Sequence, residues 1–140
     1  MKNLNYVFAC LLFIGSVCSV QAQNNQPANE TQKISTDKIE VYYFHNTRRC
    51  ATCQAIESVT KSSLEELYPE QFKKGEVIFV SLNIEDDANE GLVKDLKISG
   101  QTLLVVKDGK KKDLTNDAFM YARSNPDKLK DKIQKAIGTI

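Results

Sequence analysis

The sequence holds little cysteine, little proline and a single histidine, and neither sign of charge prevails. Four cysteines, three prolines and one histidine stand among 140 residues. A structural disulfide framework needs several widely spaced pairs, which four cysteines at these positions do not supply. Nineteen basic against eighteen acidic residues give no general attraction to nucleic acid or to an anionic membrane. The longest apolar run, Tyr6 to Ile14, is too short to cross a bilayer. There is no phosphate-cradling glycine loop, no nucleophilic-serine arrangement and no internal repeat.

What is present begins with an export pattern. Lys2 supplies a positive start, Tyr6 to Ile14 an apolar stretch, and Val20-Gln21-Ala22 a small-residue cleavage site. Residues 1–22 are therefore expected to be a signal peptide, and the protein to be periplasmic or otherwise exported. Cys18 is an alternative lipid anchor, although Gly15-Ser16-Val17 fits a lipobox poorly. Residues 23–36 are polar, rich in Asn and Gln, and read as a disordered linker. Residues 37–140 are long enough for one domain with a core of its own. No membrane span is expected after signal removal, and a monomer is expected.

Cys10 and Cys18 fall in the leader, so the mature chain keeps Cys50 and Cys53. One tight pair in an oxidising compartment points to a reactive site. Its surroundings fit. Ile39 to Phe44 is an apolar, β-branched and aromatic run that predicts a buried strand. His45 to Arg49 form a short link, and a helical pattern runs from Cys53 to about Tyr68. The strand would deliver Cys50 to the surface, and the helix start would hold Cys53 within disulfide reach. Helix N–H groups and the dipole would stabilise a thiolate at Cys50. Arg48 and Arg49 would lower its pKa further or steer an acidic partner.

Beyond this, Glu76 to Asn83 predicts a second buried strand, and Asp86 to Leu96 a short helix with Leu92, Val93 and Leu96 on its apolar face. Leu103 to Val106 predicts a third strand. Asp108-Gly109 predicts a hairpin, with Lys111 to Thr115 pairing back. Asn116 to Arg123 gives no clear pattern beyond a loop with a helical turn. Asn125 caps a last helix, with Pro126 at its first position, Leu129, Ile133, Ala136 and Ile137 on one face, and Gly138 as its stop. A helix joining the first two strands makes them parallel, and the hairpin adds an antiparallel pair. The expected fold is α/β, thioredoxin-like, with a mixed four-stranded sheet and helices on both faces.

The stretches Ser81-Leu82-Asn83-Ile84-Glu85 and Thr102 to Lys110 resemble the corresponding thioredoxin segments. More narrowly, YYFH-x4-RC-x-TC-x-AIE resembles exported bacterial thioredoxin-like proteins of the ArsF type, also described as nitrophenyl compound nitroreductase subunits. The resemblance implies a redox pair at Cys50 and Cys53 that exchanges with a protein thiol or disulfide, with no cofactor. It also exposes departures. Gln101, before Thr102, stands where thioredoxins carry a cis-proline facing the disulfide. A cis bond at Gln101 would cost about 3 kcal/mol, so a trans bond and a reshaped loop are expected. The buried proton-accepting acid of the first core strand has no match among Val41 to Phe44, and its lysine partner is replaced by Ser81. Loss of the proline leaves an alternative, a non-enzymatic subunit or a metal-binding protein using Cys50, Cys53 and His45. Three such ligands fall short of a full zinc set, and His45 reads more simply as a polar residue ending a strand. Tyr42 and Tyr43 read as sheet packing.

Overall fold

The computed structural model describes residues 38–140. The expected signal peptide, the linker 23–36 and the Cys18 anchor lie outside the described residues. The elements are β1 Ile39–His45, α1 Ala51–Leu67, α2 Pro69–Lys74, β2 Val77–Asn83, a 3-10 turn Asp87–Asn89, α3 Glu90–Leu96, β3 Thr102–Lys107, β4 Lys110–Asp113, α4 Thr115–Tyr121 and α5 Pro126–Thr139. Their sheet has four strands in the order β2-β1-β3-β4. β1 runs parallel to β2 and antiparallel to β3, and β3 turns back into β4. The mixed sheet expected from the connections is the one found.

Strand alternation divides the core in two. Odd-numbered Val41, Tyr43, Leu103 and Val105 face one way, onto Cys53, Ile56 and Leu64 of α1, Ala118 of α4, and Leu129, Ile133, Ala136 and Ile137 of α5. Even-numbered Tyr42, Phe44, Leu104 and Val106 face the other way, onto Leu96 of α3. Helices therefore cover both faces. Each large aliphatic side chain buried this way contributes about 1.5–3 kcal/mol of transfer free energy. α1 packs along α5, which backs the helix that carries the cysteines.

The central strand β1 is buried from Glu40 to Phe44. Glu40 is an acid on this strand, but its carboxylate faces away from α1 and accepts a 2.8 Å hydrogen bond from the Tyr42 hydroxyl.

Four expectations need correction. β2 was expected to be buried, yet only Val77 is, because β2 is an edge of the described sheet. α1 begins at Ala51 rather than Cys53, since Cys50 itself caps it. Residues 116–123 are not a loop. Most of them belong to α4, anchored by Asp113 Oδ1 accepting from the Thr115 N–H at 2.8 Å and by Thr115 Oγ1 accepting from the Leu103 N–H. Gly138 does not stop α5, which runs on to Thr139.

The remaining punctuation follows residue chemistry. Pro69 ends α1 and opens α2, which closes on Gly75 in the left-handed region at φ 70°. Asp108 and Gly109, both at positive φ, make the tight turn between β3 and β4. The lysines of β4 are exposed at the other sheet edge, where charge discourages pairing between molecules.

Candidate active site

β1 ends at the rim of the sheet, and the next five residues carry the chain to α1. The end of β2 pins that link. The Ile84 N–H donates to the His45 carbonyl at 2.9 Å, Asn83 Nδ2 donates to Thr47 Oγ1 at 2.8 Å, and the Thr47 N–H donates to Glu85 Oε2 at 3.1 Å. Thr47, through its hydroxyl and then its backbone N–H, holds the Glu85 carboxyl below the usual carboxylate range. The first cysteine thus sits on a fixed platform.

Cys50 is the N-cap of α1, in extended backbone at φ −88° and ψ 168°. Its sulfur takes the place of the usual Ser or Asp oxygen and accepts from the Cys53 N–H at 3.3 Å. Cys50 is exposed and Cys53 is buried, and both are free thiols. The Cys50 pKa is lowered, first by hydrogen bonding from the Cys53 thiol and then by the backbone N–H groups of the first turn. The Cys53 thiol has one proton and two claimants. Geometrically it donates to Gln101 Oε1 at 3.2 Å. We place it there in the dithiol, and on Cys50 when that sulfur is ionised.

The residues singled out in the sequence are placed as follows. Gln101 stands against Cys53, where its amide oxygen accepts from the thiol. Thr102 opens β3 opposite Phe44, and its hydroxyl turns back to the Gly100 carbonyl at 3.0 Å, shaping the loop rather than facing sulfur. Arg49 forms an ion pair with Glu57 one turn beyond Cys53. Its Nη2 reaches the Cys53 carbonyl at 3.4 Å, and its guanidinium lies 5.8 Å from the centre of the Tyr43 ring. Arg48 is exposed. Neither arginine is among the causes that lower the Cys50 pKa, which are hydrogen bonds. His45 is half-buried; its Nδ1 lies 3.0 Å from the Asn46 carbonyl and its ring is tilted 5.8 Å from that of Tyr43. Among the described residues no group of three or more His, Cys, Asp or Glu side chains could hold a metal ion.

Of two further residues in this neighbourhood, Glu57 was not singled out from the sequence, and Tyr43 was read only as sheet packing. Glu57 ties the Arg49 side chain down. Tyr43 lies fully buried in the same core cluster as Cys53. Strand alternation carries a signal for Tyr43, because it shares a face with Val41 and so must meet the helix that follows the cysteines.

No protein-family model and no curated protein matches this sequence. Solved structures do. Thioredoxin O2 from Arabidopsis thaliana in its oxidised state is 22% identical, with a TM-score of 0.50, covering 71% of this chain and 75% of its own. Thioredoxin from Trypanosoma brucei brucei is 19% identical over 75% of this chain and 80% of its own, with a TM-score of 0.47. Fasciola hepatica thioredoxin is 22% identical over 71% and 82%, with a TM-score of 0.45. The likeness to the first is one of backbone architecture. With the sheet order and helix layers above, it shows that this chain has the thioredoxin-like fold.

Proposed function

We propose that the protein is an exported thiol–disulfide oxidoreductase or electron-transfer protein that exchanges two electrons with a protein partner through Cys50 and Cys53. One observation carries the reading. An exposed sulfur caps a helix, accepts the N–H of a second, buried cysteine one turn on, and has a lowered pKa. That arrangement makes one nucleophile and one resolving thiol. The Cys50 thiolate attacks a partner disulfide, forming a Cys50–partner bond and releasing one partner thiolate. The Cys53 sulfur, having lost its proton, then attacks Cys50. The Cys50–Cys53 bond forms, the second partner thiolate leaves, and the partner has gained the electron pair. Run backwards, the same steps oxidise a partner dithiol.

Arg48 and Arg49 precede the nucleophile, Gln101 stands beside the resolving thiol, and Thr102 opens the strand that follows and shapes its loop; these four are proposed as supporting residues. Export is supported by the charge and hydropathy pattern of residues 1–22, and the tie to ArsF-type proteins by the YYFH-x4-RC-x-TC-x-AIE stretch. The deciding experiment is mass spectrometry of the mature protein after equilibration in glutathione redox buffers and thiol trapping, with metal analysis alongside. The expected result is a Cys50–Cys53 disulfide whose population follows the buffer. Thiols inert to exchange, or stoichiometric metal, would overturn the reading.

A further inference from the structure

Tyr43 is fully buried, and its hydroxyl has no hydrogen-bond partner of sound geometry. Phenylalanine would fill the same space without an unpaired polar atom, which is costly in a core. The neighbouring Tyr42 shows the contrast, since its hydroxyl is satisfied by Glu40 on the opposite face. The groups that face Tyr43 are few. From β1 comes the His45 ring, from the link the Arg49 guanidinium, and from α1 Cys53, buried in the same core cluster. Its partner on β2 is Ser81, whose own buried hydroxyl is unpaired, and its partner on β3 is apolar Leu103. Glu57 is held by Arg49, and Glu40 faces away.

The chemistry of Cys53 asks for a donor at this spot. As a thiol it gives its one proton to the Gln101 amide oxygen. As the attacking thiolate it has no proton to give, and an amide oxygen beside a negative sulfur repels it. We propose that the Tyr43 hydroxyl donates a hydrogen bond to the Cys53 sulfur as that sulfur becomes a thiolate, and so speeds closure of the Cys50–Cys53 disulfide. This rests on the redox reading given above. Burial raises the Tyr43 pKa, and the adjacent Cys53 raises it further. The phenol therefore keeps its proton and acts as a donor rather than a base. In the step, Cys53 releases its proton to solvent. Its sulfur then attacks Cys50, the Cys50–partner bond breaks, and the electron pair leaves on the partner's sulfur. Tyr43 keeps its O–H throughout.

The test follows reduced protein reacting with excess dithiobis-nitrobenzoate, in the wild type and in Tyr43→Phe. Cys50 attacks the reagent and releases a first nitrobenzoate thiolate. Cys53 then closes on Cys50 and releases a second. In Y43F the first release should match the wild type, while the second slows roughly tenfold or more, the scale of one hydrogen bond to a charged group. The pH–rate curve of the second release should also move to higher pH. A melting curve controls for folding, and Y43F should melt no lower than the wild type because it sheds an unpaired buried hydroxyl. A second release unchanged in rate and pH dependence overturns the role of Tyr43 alone. A Y43F protein that loses its fold overturns it too, because the hydroxyl is then structural. A wild type with no second release overturns the redox reading and this proposal together.

Discussion

The Cys50 sulfur accepts the Cys53 backbone N–H at 3.3 Å, so the proposed nucleophile is also the cap of the helix that bears its partner. The two duties can be separated by substitution. Cys50→Ser keeps a good capping oxygen and removes the sulfur, so it should lose glutathione exchange entirely and, at a pH where Cys50 is protonated, melt close to the reduced wild type. Cys50→Ala removes both, and should melt several degrees lower, the usual consequence of a lost cap. Equal melting of the two variants would show that the cap contributes nothing.

The lowered Cys50 pKa makes a prediction about pH with a definite sign. An acid whose folded pKa lies below its unfolded one stabilises the fold when ionised. That stabilisation is complete above the ordinary thiol value of about 8.5 and is lost as pH falls through the depressed folded value. The reduced protein should therefore gain melting temperature across that interval, and Cys50→Ser should not. In the same interval, iodoacetamide should label Cys50 at a lower pH than an ordinary thiol requires.

Arg49 and Glu57 form a partly buried ion pair, their side chains 23% and 31% exposed. A double-mutant cycle with Arg49→Met and Glu57→Gln should return a coupling of about 0.5–1 kcal/mol. Arg49→Met alone should cost more than Glu57→Gln, because Arg49 also reaches the Cys53 carbonyl and the Tyr43 ring. A cycle that returns zero coupling would count against the pair as the anchor of this loop.

Glu85 pins the link between β1 and α1 through the Thr47 N–H. Its carboxyl pKa is depressed, so the bond persists above the ordinary glutamate value of about 4.3 and fails as pH falls through the lower folded value. The Thr47 amide resonance should titrate with a midpoint below 4.3 or so. In Glu85→Gln that titration should vanish.

Much of this architecture was legible in the residues. The apolar, β-branched run of β1, the Asp-Gly turn and the Asn125-Pro126 start of α5 each have a local cause, and each was found where expected. Other features lack local marks. The bonds that anchor the start of α4 include one from a β3 amide, a tertiary partner that no window of sequence displays. The edge position of β2 is likewise invisible, because an apolar run such as Val77 to Leu82 looks the same at a sheet's centre or its rim. At the site, the cysteines announced themselves by spacing. Tyr43 did not, since a buried tyrosine and an unpaired one read alike until the neighbours of its oxygen are known.

Making the α1 cap out of sulfur would tie the proposed electron transfer to helix stability. By a thermodynamic cycle, any difference in folding free energy between the dithiol and disulfide forms is also a difference in reduction potential. A substitution that frays or tightens the first turn would thereby retune the couple without touching either sulfur. In that reading the opening residues of this helix would act as a potentiometer, and Ala51-Thr52 is where its setting would be turned.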